Sequence, residues 1–255
     1  MKRIAIDEIY LGKKLGYQTV VIDLAKGSVI FTAPGKKGSS LDDFWKRLKR
    51  SGTKIEAVAT DMGMPYISAV KNHLPNAVIV IDYFHVVKRF GEKLTELRRE
   101  LHHQATDKLQ KDTLKGTRWL LLKNKENLNA GKNEHSRLNE ALALNEPLAK
   151  AYYMKESLQQ IWKQENKEAA SECLDQWVID AAGSGVSKLV SFSKTLARLR
   201  NGILAYYDFD GMSSGPMEGV NNRIKAMIRQ AYGYRDKEFL ELKIKASHEA
   251  KDAFS

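Results

Sequence analysis

Three carboxylates in separate stretches have the chemistry for metal-assisted reaction at phosphorus: Asp7 inside IAIDEI, Asp61 after IEAVAT, and Glu218 near the start of PMEGVNNRIK. Hard divalent cations such as Mg²⁺ take oxygen ligands and keep positions for water and phosphate oxygens. Two such ions held by shared carboxylates activate an attacking oxygen and stabilise the leaving one in an in-line displacement. Each acid also has a plain structural reading. Asp7 suits an edge-strand charge paired with a lysine, Asp61 a cap on a helix beginning near Pro65, and Glu218 an acid favoured by the dipole of a first helical turn. What decides between the readings is whether the chain's elements bring the three together.

The stretch 54–90 organises those elements. Residues 55–60 and 77–81 are short Val/Ile-rich runs, which read as buried strands because β-branched side chains pack well on a pleated sheet. Each run ends in an aspartate, Asp61 or Asp82. Between them, residues 65–73 open with proline, and Ile67, Val70 and Leu74 follow at helical spacing. A strand–helix–strand unit favours a parallel sheet, and ligands gather at the carboxyl ends of such strands. Upstream, residues 4–9, 19–24 and 28–32 read as three strands, the last two joined as a hairpin across Ala25-Lys26-Gly27. A helix with Leu41, Phe44, Trp45 and Leu48 on one face follows, opened by a capping-box-like Ser40–Asp43 pair and stopped at Ser51-Gly52. Strand, strand, strand, helix, strand, helix, strand is the order of the ribonuclease H-like fold, an α/β architecture on a mixed five-stranded sheet. Its first and fourth strands are neighbours, which places Asp7 beside Asp61.

From about residue 83 to 205 strand patterns vanish, charge rises, and leucines recur at helical spacing. This reads as a large all-helical insertion whose tryptophans are core anchors rather than base-stacking platforms. The expected organisation is therefore 1–82 as the first part of the core, 83–209 as the insertion, and 210–255 as the C-terminal part carrying Glu218. Residues 210–215 form a loop, and Pro216 opens the last clear helix, to about Ala231. Val220, Ile224, Met227, Ile228 and Ala231 make its apolar stripe, and Glu218, Asn222, Lys225 and Arg229 a separate polar one.

Lys and Arg total 42 against 31 acids, a net charge of +11. Such a surplus suits a polyanion, nucleic acid above all, and also suits a basic protein with solvated helix faces. Cys173 is the only cysteine, which excludes an internal disulfide and a cysteine-based zinc module. Acids at Asp7 and Glu8 interrupt any signal-peptide core, and no uncharged run approaches a membrane span, so a cytoplasmic, soluble protein is expected.

The blocks LPNAVIVIDYFHVVK (74–88) and EGVNNRIK (218–225), followed by AYGYR (231–235), resemble the bacterial insertion-sequence transposases of the ISL-three family; TRWLLL (117–122) is a weaker match inside the insertion. The resemblance covers nearly the whole chain. It implies a DDE enzyme with a ribonuclease H-like core and a helical insertion before the last acid. Carried over residue by residue, the implied catalytic and metal-binding triad is Asp7, Asp61 and Glu218, with Mg²⁺ as cofactor and Mn²⁺ as substitute. The implied reaction is cleavage of transposon-end DNA and transfer of the freed 3′-hydroxyl to target DNA, in a homo-oligomer on the DNA. Asn222, Arg223, Lys225 and Arg229 are the expected DNA-binding residues. The family also carries an N-terminal zinc-binding and helix-turn-helix region that this sequence lacks, so the expectation is a catalytic portion. Asp61 and Glu218 lie 157 residues apart (218 − 61), a spacing that an insertion explains.

Asp82 and His85 are expected to support the site from behind or to be structural, with Asp82 in place of Asp61 as the alternative. His102, His103 and His135 lack ligand spacing and read as surface residues. Ser213 and Ser214 have no accompanying base, which argues against a serine nucleophile. Two other functions compete with strand transfer: a structure-selective nuclease using the same triad, and a non-catalytic or remnant DNA-binding protein.

Overall fold

A computed structural model describes residues 1–249; residues 250–255, the tail of the expected 210–255 segment, lie outside the described residues. Five strands, β1 (Arg3–Tyr10), β2 (Tyr17–Asp23), β3 (Ser28–Pro34), β4 (Ala57–Thr60) and β5 (Val78–Ile81), form one sheet ordered β3-β2-β1-β4-β5. β1 pairs antiparallel with β2 and parallel with β4, and β5 continues the parallel half. The sheet is therefore mixed, and its first and fourth strands are neighbours, as the ribonuclease H-like order requires. The β2–β3 hairpin turns where expected, with Gly27 at φ 63° and its N–H donating to Asp23 C=O at 2.8 Å.

The chain divides into two compact units, residues 1–84 with 201 onward, and residues 85–200. In the first, α1 (Asp42–Ser51) and α2 (Met64–His73) bury Phe44, Trp45, Leu48, Tyr66 and Val70 against Ile4, Ile6, Val21 and Val58 on one face of the sheet. The opposite face, with Ala5, Ile9, Val20, Ile22, Ala57, Ala59 and Val80, packs against residues of the C-terminal helices, described below. The second unit is helical. It takes in most of α3 (Tyr83–Gln104), then α4 (Lys108–Gly116), α5 (Arg118–Leu122), α6 (Glu134–Ala143), α7 (Glu146–Leu158), α8 (Lys167–Gly183) and most of α9 (Ser187–Leu204). Phe90, Trp177 and Phe192 meet edge to face inside it, with ring centroids 5.1–5.9 Å apart. No helix among the described residues is long and apolar enough to cross a membrane.

Three expectations need correction. The helix beginning at Gly215, α10 (Gly215–Gln230), is not the last one, because α11 (Lys237–Glu249) follows, packs beside β3 and sinks Leu240 and Ile244 into the same core as α10. Its other large apolar residues, Phe239 and Leu242, are exposed, so no clean helical stripe shows in the sequence. Ser40 and Asp43 form no capping box. A 3₁₀ turn at Gly38–Leu41 puts Leu41 at the N-cap of α1, Ser40 Oγ donates to Pro34 C=O at 3.0 Å, and Asp43 pairs with Lys46 at 2.9 Å. Trp119 is no core anchor: it is 66% exposed, whereas Trp45 and Trp177 are buried.

Candidate active site

Strand register brings the aspartates into line. Ile6 faces Thr60 across β1 and β4, and Thr60 faces Ile81 across β4 and β5. Carried one residue further, the register sets Asp7, Asp61 and Asp82 in one row across three adjacent strands, roughly 4.8 Å from each strand to the next. Asp82 N–H still donates to Thr60 C=O at 3.1 Å, so the ladder continues past the strand ends. Ala5, Ile9, Ala57, Ala59 and Val80 point into the core shared with α10 and α11. Side-chain alternation turns the row toward that same face.

Helix α10 crosses this row. Ser214, the residue before it, donates its hydroxyl to Asp82 Oδ2. Two turns later, Asn221 Nδ2 donates to Asp7 Oδ2 at 2.9 Å. Met217, Val220 and Ile224 of α10 are buried below. Glu218 comes one turn after Ser214 and one turn before Asn221, on the flank that passes between the outer two aspartates. Its side chain is exposed and makes no hydrogen bond or ion pair with a described residue.

The three aspartates differ in their partners. Asp82 is 1% exposed and accepts from Phe84 N–H at 3.2 Å as well as from Ser214, an anchored carboxylate that fixes where α10 begins. Asp61 accepts from Gly63 N–H at 2.8 Å through Oδ1, while Oδ2 has no donor among the described residues. It caps no helix, because the N-cap of α2 is Gly63. A Cβ at Gly63 would lie 2.7 Å from Asp61 Oδ1, so any larger residue there would push the carboxylate aside. On the other face, Tyr66 is buried with its hydroxyl 3.0 Å from Thr19 Oγ1. Burial pushes the Tyr66 phenol far up; the Thr19 hydrogen bond opposes this, and the charges of Glu8, Asp7 and Asp61 add to it. Thr19 gives its own proton to Gly35 C=O at 2.8 Å, so Tyr66 is the donor between them and stays neutral.

Among the described residues, no three of His, Cys, Asp and Glu gather closely enough to hold a metal ion. The donor set nonetheless fits a hard cation. Asp7 and Asp61 present carboxylates from neighbouring strands, and Oδ1 of Asn221, whose amide is bonded to Asp7, is buried with no hydrogen-bond partner. An orphaned amide oxygen beside carboxylates is the kind of ligand a hard divalent ion or its water accepts. His85 lies in the second unit, on α3.

On α10, Asn222, Lys225 and Arg229 are exposed, and neither Lys225 nor Arg229 pairs with a described acid. Arg223 is half-buried. Sequence reasoning passed over Asn221, because spacing of four from Glu218 selects Asn222. The available signal was the Asn-Asn pair itself: asparagine is a poor residue inside a helix unless a tertiary partner holds it. Ser214, considered only as a nucleophile, acts instead as the donor to buried Asp82.

A family model described as a transposase, of the ISL-three type of DDE enzymes, matches residues 4–244. The transposase for insertion sequence element IS1001 of Bordetella parapertussis is 34% identical over 247 residues, covering 96% of this chain and 60% of that protein. The transposase for insertion sequence element IS1557 of Mycobacterium tuberculosis is 28% identical over 263 residues, covering 94% of this chain and 58% of the relative. The chain thus spans about three-fifths of the length of these curated relatives. It belongs to the ISL-three family of DDE transposases.

Proposed function

We propose that the chain carries out metal-dependent cleavage of DNA and transfer of the freed 3′-hydroxyl to a target strand, with Asp7, Asp61 and Glu218 as its metal-binding carboxylates. The observation that carries this reading is the crossing of the aspartate row by α10. Ser214 holds one end at Asp82 and Asn221 the other at Asp7, with Glu218 on the turn between. Bound divalent cations, Mg²⁺ with Mn²⁺ as substitute, would lower the charge barrier to displacement at phosphorus.

The chain's own residues do the positioning. Gly63 N–H fixes one oxygen of Asp61 and leaves the other for a ligand. Asn221 fixes one oxygen of Asp7. Asp82 sets the start of α10, which supports a positioning role rather than a ligand role for it. Asn222, Arg223, Lys225 and Arg229 lie along α10 where flanking phosphates would pass, and exposed lysine and arginine give sequence-independent, salt-sensitive contacts. The nucleophile is water or a DNA hydroxyl, so no covalent protein–DNA intermediate forms. Association of copies on the DNA is part of the same proposal.

The test is Glu218→Gln, which keeps shape and removes the charge, assayed for nicking and joining of DNA carrying insertion-sequence ends, alongside calorimetric titration with Mn²⁺. Loss of both cleavage and tight Mn²⁺ binding, with unchanged circular dichroism, is expected, and Asp61→Asn should match it. Cleavage by Glu218→Gln at the parental rate would remove Glu218 from the triad.

A further inference from the structure

The second unit holds a basic, aromatic surface that the aspartate row does not use. Trp119, in α5, is 66% exposed, and the guanidinium carbon of Arg118 lies 4.7 Å from its ring centroid. Arg98, on α3, is half-buried, with Nη1 donating to Leu114 C=O at 2.8 Å in the last turn of α4 and Nε buried without a partner. Thr117 Oγ1 donates to the same Leu114 carbonyl at 3.0 Å, which sets Arg98, and Arg99 next to it in α3, beside the start of α5 and Arg118; burial and the charges of Arg99 and Arg118 lower the Arg98 pKa. None of the three forms an ion pair with a described residue. Like charges grouped without an acid repel one another, and a bound anion would relieve that repulsion.

The mount is fixed. Leu120 and Leu121 already anchor α5 in the core, so Trp119 is not needed for packing. Buried Lys155 donates to the carbonyls of Leu121, at 3.1 Å, and Lys123, at the end of that helix. Glu134 then clamps the following loop, accepting from Lys123 Nζ at 2.7 Å and from Asn129 N–H at 2.8 Å. With the backbone of α5 tied down in this way, stacking on the indole has little main-chain entropy left to cost.

We propose that Arg98, Arg99, Arg118 and Trp119 form a contact site for an unpaired stretch of DNA, the guanidinium groups taking backbone phosphates and the indole stacking on an exposed base. The planar arginine fork matches two phosphate oxygens. The aromatic side chain decides for an unpaired strand over a duplex. A duplex offers phosphates but keeps its base faces within its own stack, whereas an unstacked base offers a π-face to tryptophan. This site rests on the reading that the chain acts on DNA, and is independent of which residues bind metal.

The test compares binding of a fluorescein-labelled single-stranded oligonucleotide and of its duplex to the whole chain, by anisotropy at fixed salt. Trp119→Ala should weaken the single-strand complex about five- to a hundredfold and change duplex affinity by no more than about twofold. Trp119→Phe should restore most of the loss. Arg99→Ala and Arg118→Ala should weaken both complexes and each lower the salt slope by about one. Unchanged single-strand affinity in Trp119→Ala, or an equal loss on both forms of DNA, would overturn the site. Trp119 is exposed, so its replacement leaves the core intact, and circular dichroism checks this. If Glu218→Gln still cleaves while Trp119→Ala loses single-strand affinity, the triad fails and this site stands. The opposite pair of results removes this site alone.

Discussion

Asn221 and Asp7, 214 residues apart in sequence, meet through a 2.9 Å hydrogen bond from the amide of one to the carboxylate of the other. The bond ties a late helix to the central strand of the sheet and fixes one oxygen of Asp7. It also determines how the amide is turned: with Nδ2 on the carboxylate, Oδ1 is left buried and unpartnered. A buried amide oxygen without a donor costs stability.

Asn221→Ala should therefore loosen Asp7 rather than remove a charge. A tenfold to hundredfold fall in Mn²⁺ affinity is expected, in line with the loss of a group that orients a ligand. The accompanying loss of folding stability should be about 1–2 kcal/mol. Titration calorimetry and urea unfolding read the two effects separately. Unchanged Mn²⁺ affinity would make the Asn221–Asp7 bond purely structural.

Ser214→Ala takes a donor from Asp82, a carboxylate with almost no access to water. The cost should be about 1–3 kcal/mol of unfolding free energy, as for other buried groups deprived of a partner. Ser213→Ala, one residue earlier and less buried, loses only an exposed 3.2 Å bond from Gly215 N–H and should cost less, about 0.5–1 kcal/mol. Equal effects from the two serines would contradict the anchoring role of Asp82.

Two glycines separate helix propensity from packing. Alanine in place of Gly219, on α10, would meet nothing within 4 Å, and should stabilise by up to about 1 kcal/mol. At Gly202 the same methyl would lie 2.7 Å from Ile81 Cγ1 and 3.2 Å from Ile79 C=O. Overpacking of about 1–3 kcal/mol outweighs the propensity gain there, so Gly202→Ala should destabilise. Urea midpoints moving in opposite directions would bear this out.

The Lys123–Glu134 clamp predicts an acid-sensitive loop. The Lys123 ammonium, then the Asn129 N–H, hold the Glu134 carboxyl below its usual 4.5. Because the folded value is the lower one, the unfolded chain takes up the proton first as pH falls. The stabilisation is complete above about pH 4.5 and disappears as pH drops through the folded value. Glu134→Gln should lower stability at pH 7 and have little effect in strong acid. Melts from pH 7 to pH 3 that run parallel for the two proteins would refute this.

Much of the fold was legible because it is periodic or local. Val/Ile runs marked β4 and β5, a glycine turn marked the β2–β3 hairpin, and element order alone set β1 beside β4, hence Asp7 beside Asp61. What stayed hidden depends on long-range partners. Asn221 and Asn222 are chemically identical neighbours, and only the tilt of α10 over β1 decides which one turns inward. Helix α11 escaped because two buried residues, Leu240 and Ile244, are enough to dock it while Phe239 and Leu242 face solvent. Trp119 was misjudged because burial is the usual fate of tryptophan, and nothing local records that Leu120 and Leu121 already fill the core position.

The division of the first unit into two distant segments also sets an order of events on the ribosome. All three aspartates precede α10, with Ser214 following Asp82 by 132 residues and Asn221 following Asp7 by 214. At roughly 5–20 residues per second, the sheet waits on the order of ten seconds or more for the helices that cover it. Throughout that interval Ala5, Ile9, Val20, Ile22, Ala57 and Val80 lack their covering layer, a surface for chaperones to hold. Chains stalled before residue 215 are expected to be protease-sensitive and unable to bind Mn²⁺ tightly.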